Sequence, residues 1–376
     1  MSEMIASKTY VAPMLSRVAD SLYWMSRYME RAENISRILD VNLQYMLDLP
    51  RRDQTNPKTL WGPVLHSTGD ERDFKKLYDE TNSDSVIDFL TLRRENPNSI
   101  LNCVTIAREN ARHVREQISD EMWEEINRTY LSLRDLTMGR IRRMGAHQFS
   151  NLVREASHLF QGITDATMPH HQGWEFIQAG KYIERADKTT RIVDANLDVF
   201  APCYEEPPQN RAVDTLKLAA ILRSCSAHTA YRRVYVADLE PEKVVEFLVL
   251  GQTFPRSIRF CAEALHAALR RISGSTGDRF TNNSEKLAGQ LDAELHFSSR
   301  EDILAPGLHL SMDAIQSKLN QIDEAVYATY IFYEPESEAV LPPSDDEPSI
   351  MQRFKNTRQP VKVAARKAVR RRRRPV

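Results

Sequence analysis

The chain has 376 residues, with 51 Lys and Arg against 52 Asp and Glu and a formal net charge of −1 at pH 7. Its 41% hydrophobic and 27% charged residues are ordinary for a globular protein, and its length allows two domains or one large bundle. No window approaches the roughly 20 apolar residues needed to cross a bilayer, and residues 1–14 have neither an apolar run nor a small-residue cleavage site, so a cytoplasmic protein is expected.

Few stretches alternate Val, Ile or Thr with polar residues, so the expected class is all-α. A long helix is predicted from Met14 or Leu15, just after Pro13, to about Leu47, with an inward stripe of Tyr28, Ala32, Ile35, Leu39 and Asn42. Pro50 and the polar run to Pro57 break it, and helical pattern resumes over residues 60–65. Helices are expected at residues 100–118, 120–136 and 150–166, followed by the loop Pro169-His170-His171-Gln172-Gly173. The order then resumes near residues 175–199, 213–230, 241–247 and 256–272, with Pro255 read as a helix start because proline needs no N–H donor there. Residues 274–278 read as a flexible break, and helices near 285–295 and 310–332 close the body.

Composition changes beyond Tyr333. Glu334 to Glu347 holds six acids and no base, and Arg353 to Arg374 holds eleven Lys or Arg and no acid. A disordered acidic-then-basic tail over residues 334–376 is expected, after a leader at 1–14 and a helical body at 15–333.

Within that body one segment recurs. Tyr28-Met29-Glu30-Arg31-Ala32-Glu33, with Arg37, Ile38, Asp40, Asn42 and Leu43, returns about 154 positions later as Tyr182-Ile183-Glu184-Arg185-Ala186-Asp187, with Arg191, Ile192, Asp194, Asn196 and Leu197. Phe74-Lys75-Lys76-Leu77-Tyr78 and Tyr231-Arg232-Arg233-Val234-Tyr235 match in the same order, as do Val86 to Leu90 with Val244 to Leu248. Pro97-Asn98-Ser99-Ile100 with Cys103 matches Pro255-Arg256-Ser257-Ile258 with Cys261. Four blocks in one order predict an internally duplicated multi-helix bundle, with halves of about 15–168 and 169–333.

The repeated segment is also the leading site candidate. On a helix, Arg27, Glu30, Asn34 and Arg37 share a face, and Lys181, Glu184, Lys188 and Arg191 form the corresponding stripe. Glu33 precedes Arg37 by one turn, as Asp187 precedes Arg191. Two readings stand side by side. One is a charged network fixing the register of packed helices. The other is a pair of polar pockets in which Glu30 or Glu184 acts as acid or base while Arg27, Arg31, Arg37, Arg185 and Arg191 hold an anionic substrate. Arg108, Arg112 and Arg115 share another face that either binds an anion or is simply solvated.

The usual catalytic signatures are missing from the sequence. His170-His171 lies in a loop without Cys partners at ligand spacing, so no metal is expected, and no Gly-rich phosphate loop points to a cofactor. Cys103, Cys203, Cys225 and Cys261 form no Cys-x-x-Cys pair and read as buried thiols. Arg370, Arg371, Arg372, Arg373 and Arg374 would attract nucleic acid or another polyanion without sequence specificity.

The two Glu-Arg segments, with Pro255-Arg256-Ser257-Ile258 and Ala107-Arg108-Glu109-Asn110-Ala111-Arg112, resemble the alpha-E family of bacterial all-helical proteins, over about residues 15–333. The resemblance implies a helical domain with no established reaction. It also implies partners, because members are typically encoded beside a circularly permuted ATP-grasp protein and a transglutaminase-like protein. Such company implies an accessory component of a peptide or amide-bond synthesis system. The alternatives are an enzyme of the same pathway and a nucleic-acid-associated protein acting through its tail.

Overall fold

The structure, a computed structural model, describes residues 14–49, 57–200, 211–235, 239–277 and 279–332. The acidic-then-basic tail with Arg370 to Arg374, the leader up to Pro13, and Cys203 all lie outside the described residues. Among the described residues there are seventeen α-helices, a closing π-turn at Tyr327–Ile331, and no strand. The first eight are α1 (Ser16–Asp48), α2 (Pro57–Thr68), α3 (Glu71–Leu77), α4 (Ser83–Thr91), α5 (Ile100–His113), α6 (Asp120–Arg134), α7 (Met138–Met144) and α8 (Ala146–Thr167). The remainder are α9 (Gln172–Asp194), α10 (Leu197–Phe200), α11 (Arg211–Ser224), α12 (His228–Val234), α13 (Pro241–Leu250), α14 (Ile258–Ser273), α15 (Asn283–Phe297), α16 (Arg300–Leu304) and α17 (Leu308–Val326).

Side-chain caps set many of the starts. Ser99, Ser119, Thr137, Ser257 and Asn282 each accept a backbone N–H from the first turn they precede, and Asn82 with Ser85 and Ser299 with Asp302 form capping boxes. Ser257, not Pro255, therefore opens α14, two positions later than the proline reading. The helix expected over 213–230 is two helices. Ser226, at φ 56°, ends α11 with the Ala227 N–H on the Leu222 carbonyl and its own N–H on Arg223, the paired bonds of a left-handed helix cap. The helix expected to reach 118 ends at His113, and α7 and α16 are short helices that periodicity did not mark.

The core is organised around α1 and α9. α1 packs on α9, α5, α8 and α11, while α9 packs on α1, α14, α17 and α2. Both helices are buried on most of their circumference, charged residues included. Their crossing is close because Gly180 has no side chain: a Cβ there would sit 2.3 Å from the Tyr23 carbonyl oxygen. Leu22, Met25, Met29 and Ile35 of α1 and Phe176, Ile177, Ala179 and Ile183 of α9 supply the apolar part of this centre.

Candidate functional site: the buried Glu-Arg clamp

The close crossing brings the two Glu-Arg segments together, each glutamate facing the arginine of the other helix. Glu184 receives Arg31 through two parallel bonds, Nε to Oε1 at 2.6 Å and Nη2 to Oε2 at 2.9 Å, and Arg27 Nε at 3.1 Å. Glu30 receives Arg185 Nε at 2.9 Å and Arg256 Nη1 at 2.8 Å on Oε1, and Gln161 Nε2 at 2.9 Å on Oε2. Glu30 and Glu184 are each only 1% exposed.

Flanking groups complete the network. Arg256 also reaches Asn34 Oδ1 at 2.7 Å and Glu33 Oε2 at 2.8 Å, while Arg37 pairs with Glu33 within its own helix. Arg27 continues to Asp323 of α17 at 2.7 Å, which also accepts the Tyr23 hydroxyl at 2.6 Å. Arg31 donates to Asn98 at 2.9 Å, and Asn98 donates to Asp70 at 2.7 Å. Arg191 pairs with Asp187, and Lys188 donates to the Ser67 carbonyl at 2.9 Å. Aromatic faces back the guanidinium groups: Trp24 lies 4.5 Å from Arg27, Tyr28 5.3 Å from Arg31 and Tyr182 5.8 Å from Arg185.

These surroundings decide the protonation states. Burial pushes the Glu184 carboxyl up, but Arg31 and Arg27 more than reverse this and hold it well below the ordinary range. Glu30 is lowered in the same way, burial being outweighed by Arg185 and Arg256, and Glu33 is lowered against its burial chiefly by Arg256. Burial, reinforced by Arg185, pushes the Lys181 ammonium down to about 8. The glutamates and the arginines around them form a network of paired ions, in which Arg37 Nε and Asp187 Oδ1 are buried without a partner.

The other sequence candidates lie elsewhere. Arg108 and Arg112 both pair with Glu109, Arg115 pairs with Asp120, and Arg108 stacks over Tyr130 at 4.7 Å, so this face carries its own acids. Cys103, Cys225 and Cys261 are buried, and burial pushes each thiol up to about 12. Among the described residues no group of three or more His, Cys, Asp or Glu is placed to hold a metal, and no helix is long and apolar enough to cross a membrane. Neither Glu30 nor Glu184 lines any of the three described cavities, of about 220, 1020 and 300 Å3.

Sequence reasoning did not assign Arg256, Asn98, Gln161 or Asp323 to this network. A signal for the first two was present. Arg256 and Asn98 are matched positions, and so are Lys188 and Asn34: the first segment carries Asn at both, the second a cation at both, and Arg256 of the second donates to Asn34 of the first.

A family model described as a predicted alpha-helical domain with a conserved ER motif matches residues 14–331. The chain belongs to the Alpha-E family. Its two Glu-Arg pairs, Glu30-Arg31 and Glu184-Arg185, are the residues that clamp α1 to α9. Uncharacterised proteins of Mycobacterium bovis and of Mycobacterium tuberculosis are 25% identical to this Alpha-E chain over 328 residues, which is 83% of this chain. The chain spans about a third, 35%, of the length of these relatives. No solved structure matches it.

Proposed function

We propose that the chain is a non-catalytic binding component of an ATP-grasp-linked peptide or amide-bond synthesis system, in which the Glu-Arg helices are the rigid frame that presents partner-binding surfaces. The observation that carries this reading is the condition of the two glutamates. A general acid or base must exchange a proton with a substrate about 3 Å away. Glu30 and Glu184 are enclosed, doubly paired with guanidinium groups and held ionised, so the Glu-based enzyme reading has no reactive group. The arginines assigned to a substrate clamp spend their charge on protein carboxylates instead. Support for a partnered role comes from the length of the relatives, whose chains extend well beyond the matched segment. The amide-forming context rests on the ATP-grasp and transglutaminase-like proteins that the family resemblance implies as neighbours.

The test is affinity purification of the tagged chain from its own cells, full-length and truncated after Tyr333, with the bound proteins identified. The proposal expects an ATP-grasp or transglutaminase-like protein with both forms. Capture by neither form overturns it, and nucleic acid recovered with the full-length form alone would move the function to the basic tail.

A further inference from the structure

Three side chains along one face of α9 keep hydrogen-bond donors unspent. Gln178, Lys181 and Arg185 are spaced by three and four residues, so they leave the helix on the same side. They are only 3%, 7% and 8% exposed. Arg185 gives Nε to Glu30 and Nη2 to Gln161, which leaves Nη1 free. The Gln178 amide and the Lys181 ammonium have no hydrogen-bond partner among the described residues. These donors still meet solvent, unlike the sealed, unpaired nitrogens of Asn34 and Arg37. Lys181 Nζ and Arg185 Cζ lie 4.7 and 5.8 Å from the centroid of one ring, that of Tyr182, so the two cations are neighbours.

The matched positions of α1 are filled differently. There Arg27 lies over Trp24 and is held by Glu184 and Asp323, whereas α9 has Lys181 with no paired acid and Gln178 in place of the indole. The exchange matters chemically, because a guanidinium keeps its proton and a buried amine can give it up. The groups that bear on Lys181 are Arg185 on its own helix, Asp165 of α8, Glu30 of α1 and the un-ionised Cys261 thiol of α14. Burial, reinforced by Arg185, outweighs the two acids and brings the ammonium down to about 8. At about pH 7.5, roughly a quarter of such an amine is neutral, against about one part in a thousand of an ordinary lysine.

A neutral amine beside two unspent donors suits an electrophile whose adduct is an anion. We propose that Lys181 is a carbon dioxide site, forming a carbamate held by Gln178 Nε2 and Arg185 Nη1. The Nζ lone pair attacks the carbon, a C–N bond forms as one C=O π pair moves to oxygen, and Nζ releases one proton to water. Atoms and electrons balance without an oxidant or a cofactor, and the neutral amine becomes an anion. An imine formed with an aldehyde would give the two donors no such acceptor. Size points the same way: none of the three described cavities is lined by Gln178, Lys181 or Arg185, so the adduct must be small. The site does not depend on the partnership proposed above, since it needs no second protein.

Equilibrating the full chain with carbon dioxide, trapping carbamates by ethylation with a trialkyloxonium salt and mapping the adducts by peptide mass spectrometry tests this. The α-amino group, which titrates at about 7.7–8.0, is the internal standard. At about pH 7.5, Lys181 should be trapped to within about tenfold of that amine and on the order of a hundredfold above the other lysines, as the neutral fractions dictate. Raising the pH from about 7 to about 9 at fixed carbon dioxide pressure should increase the Lys181 adduct by at least about tenfold, until it saturates. Gln178→Leu, which removes the amide donor, should lower it by about two- to tenfold, the worth of one hydrogen bond, with helicity by circular dichroism matching the wild type. The proposal is overturned if no adduct maps to Lys181, if other lysines are trapped to the same extent, if the adduct does not grow with pH, or if well-folded Gln178→Leu is trapped as readily as the wild type.

Discussion

Gly180→Ala puts the close crossing of α1 and α9 to the test. The added Cβ would lie 2.3 Å from the Tyr23 carbonyl oxygen, 3.2 Å from its carbon and 3.3 Å from Arg27 Cγ. Ordinary contact between carbon and a neighbouring heavy atom is about 3.5 Å, so the helices must part by roughly 1 Å. Overpacking of this kind typically costs about 1–3 kcal/mol. The same movement stretches the Arg31–Glu184 bonds, now 2.6 and 2.9 Å, toward the edge of hydrogen-bond range. The total loss should reach about 2–5 kcal/mol, because weakening a buried pair adds to the packing cost. At roughly 2 °C per kcal/mol for a large domain, the melting temperature should fall by about 4–10 °C. Gly162→Ala is the matched control: it lies within α8, where an added methyl would have nothing within 4 Å, and should stabilise by about 0.5–1 kcal/mol. Urea titrations followed by circular dichroism measure both. If Gly180→Ala is as stable as the wild type, the two helices do not approach as closely as described.

Acid should unfold the body through the clamp. Glu30, Glu33 and Glu184 all have folded pKa values below the ordinary 4.3 or so, so their stabilisation is fully present above that pH and is lost as pH falls below it. Urea midpoints measured from pH 6 down to pH 3 should decline steeply in the lower part of that range, and a flat profile would count against the paired carboxylates. At the alkaline end the signs reverse. Cys103, Cys225 and Cys261 titrate near 12 when folded and near 8.5 when unfolded, so their contribution fades as pH rises between those values, and in the native protein these three should resist a thiol reagent at pH 8 until denaturant is added. Rapid native labelling of any of the three would contradict their burial. Arg256→Gln leaves Glu33 with Arg37 and Glu30 with Arg185 but removes a cation shared by both acids, and should cost about 3–5 kcal/mol by thermal or chemical unfolding. A loss below about 1 kcal/mol would place Arg256 outside the clamp's energetics.

How much of this was legible in the sequence depends on the range of the interaction. α1 was bounded to within about two residues at each end because Pro13 and Pro50 bracket an unbroken helical pattern. The split between α11 and α12 was not legible: it rests on Ser226 adopting a left-handed conformation that sequence assigns chiefly to glycine. α7 and α16, of seven and five residues, are too short to show a period. Within the clamp, Glu33–Arg37 and Asp187–Arg191 were readable because they sit one turn apart. Glu30–Arg185 and Arg31–Glu184 needed the crossing geometry, and Arg256 needed contacts 222 and 223 positions away in the chain. The cavity of about 1020 Å3 had no local signature, since it is assembled from helix ends far apart in sequence.

Whether the Glu-Arg motif joins α1 to α9 through reciprocal pairing is decided most sharply by a double-mutant cycle on Arg31→Gln and Glu184→Gln. Stability by urea titration would be measured for the wild type, both single variants and the double variant. Reciprocal pairing predicts a coupling energy of about 1–3 kcal/mol, because each single variant takes from a buried charge its two-bond partner, while the double variant removes both charges. Effects that add to within about 0.5 kcal/mol would mean the two residues are energetically independent, and would contradict the clamp.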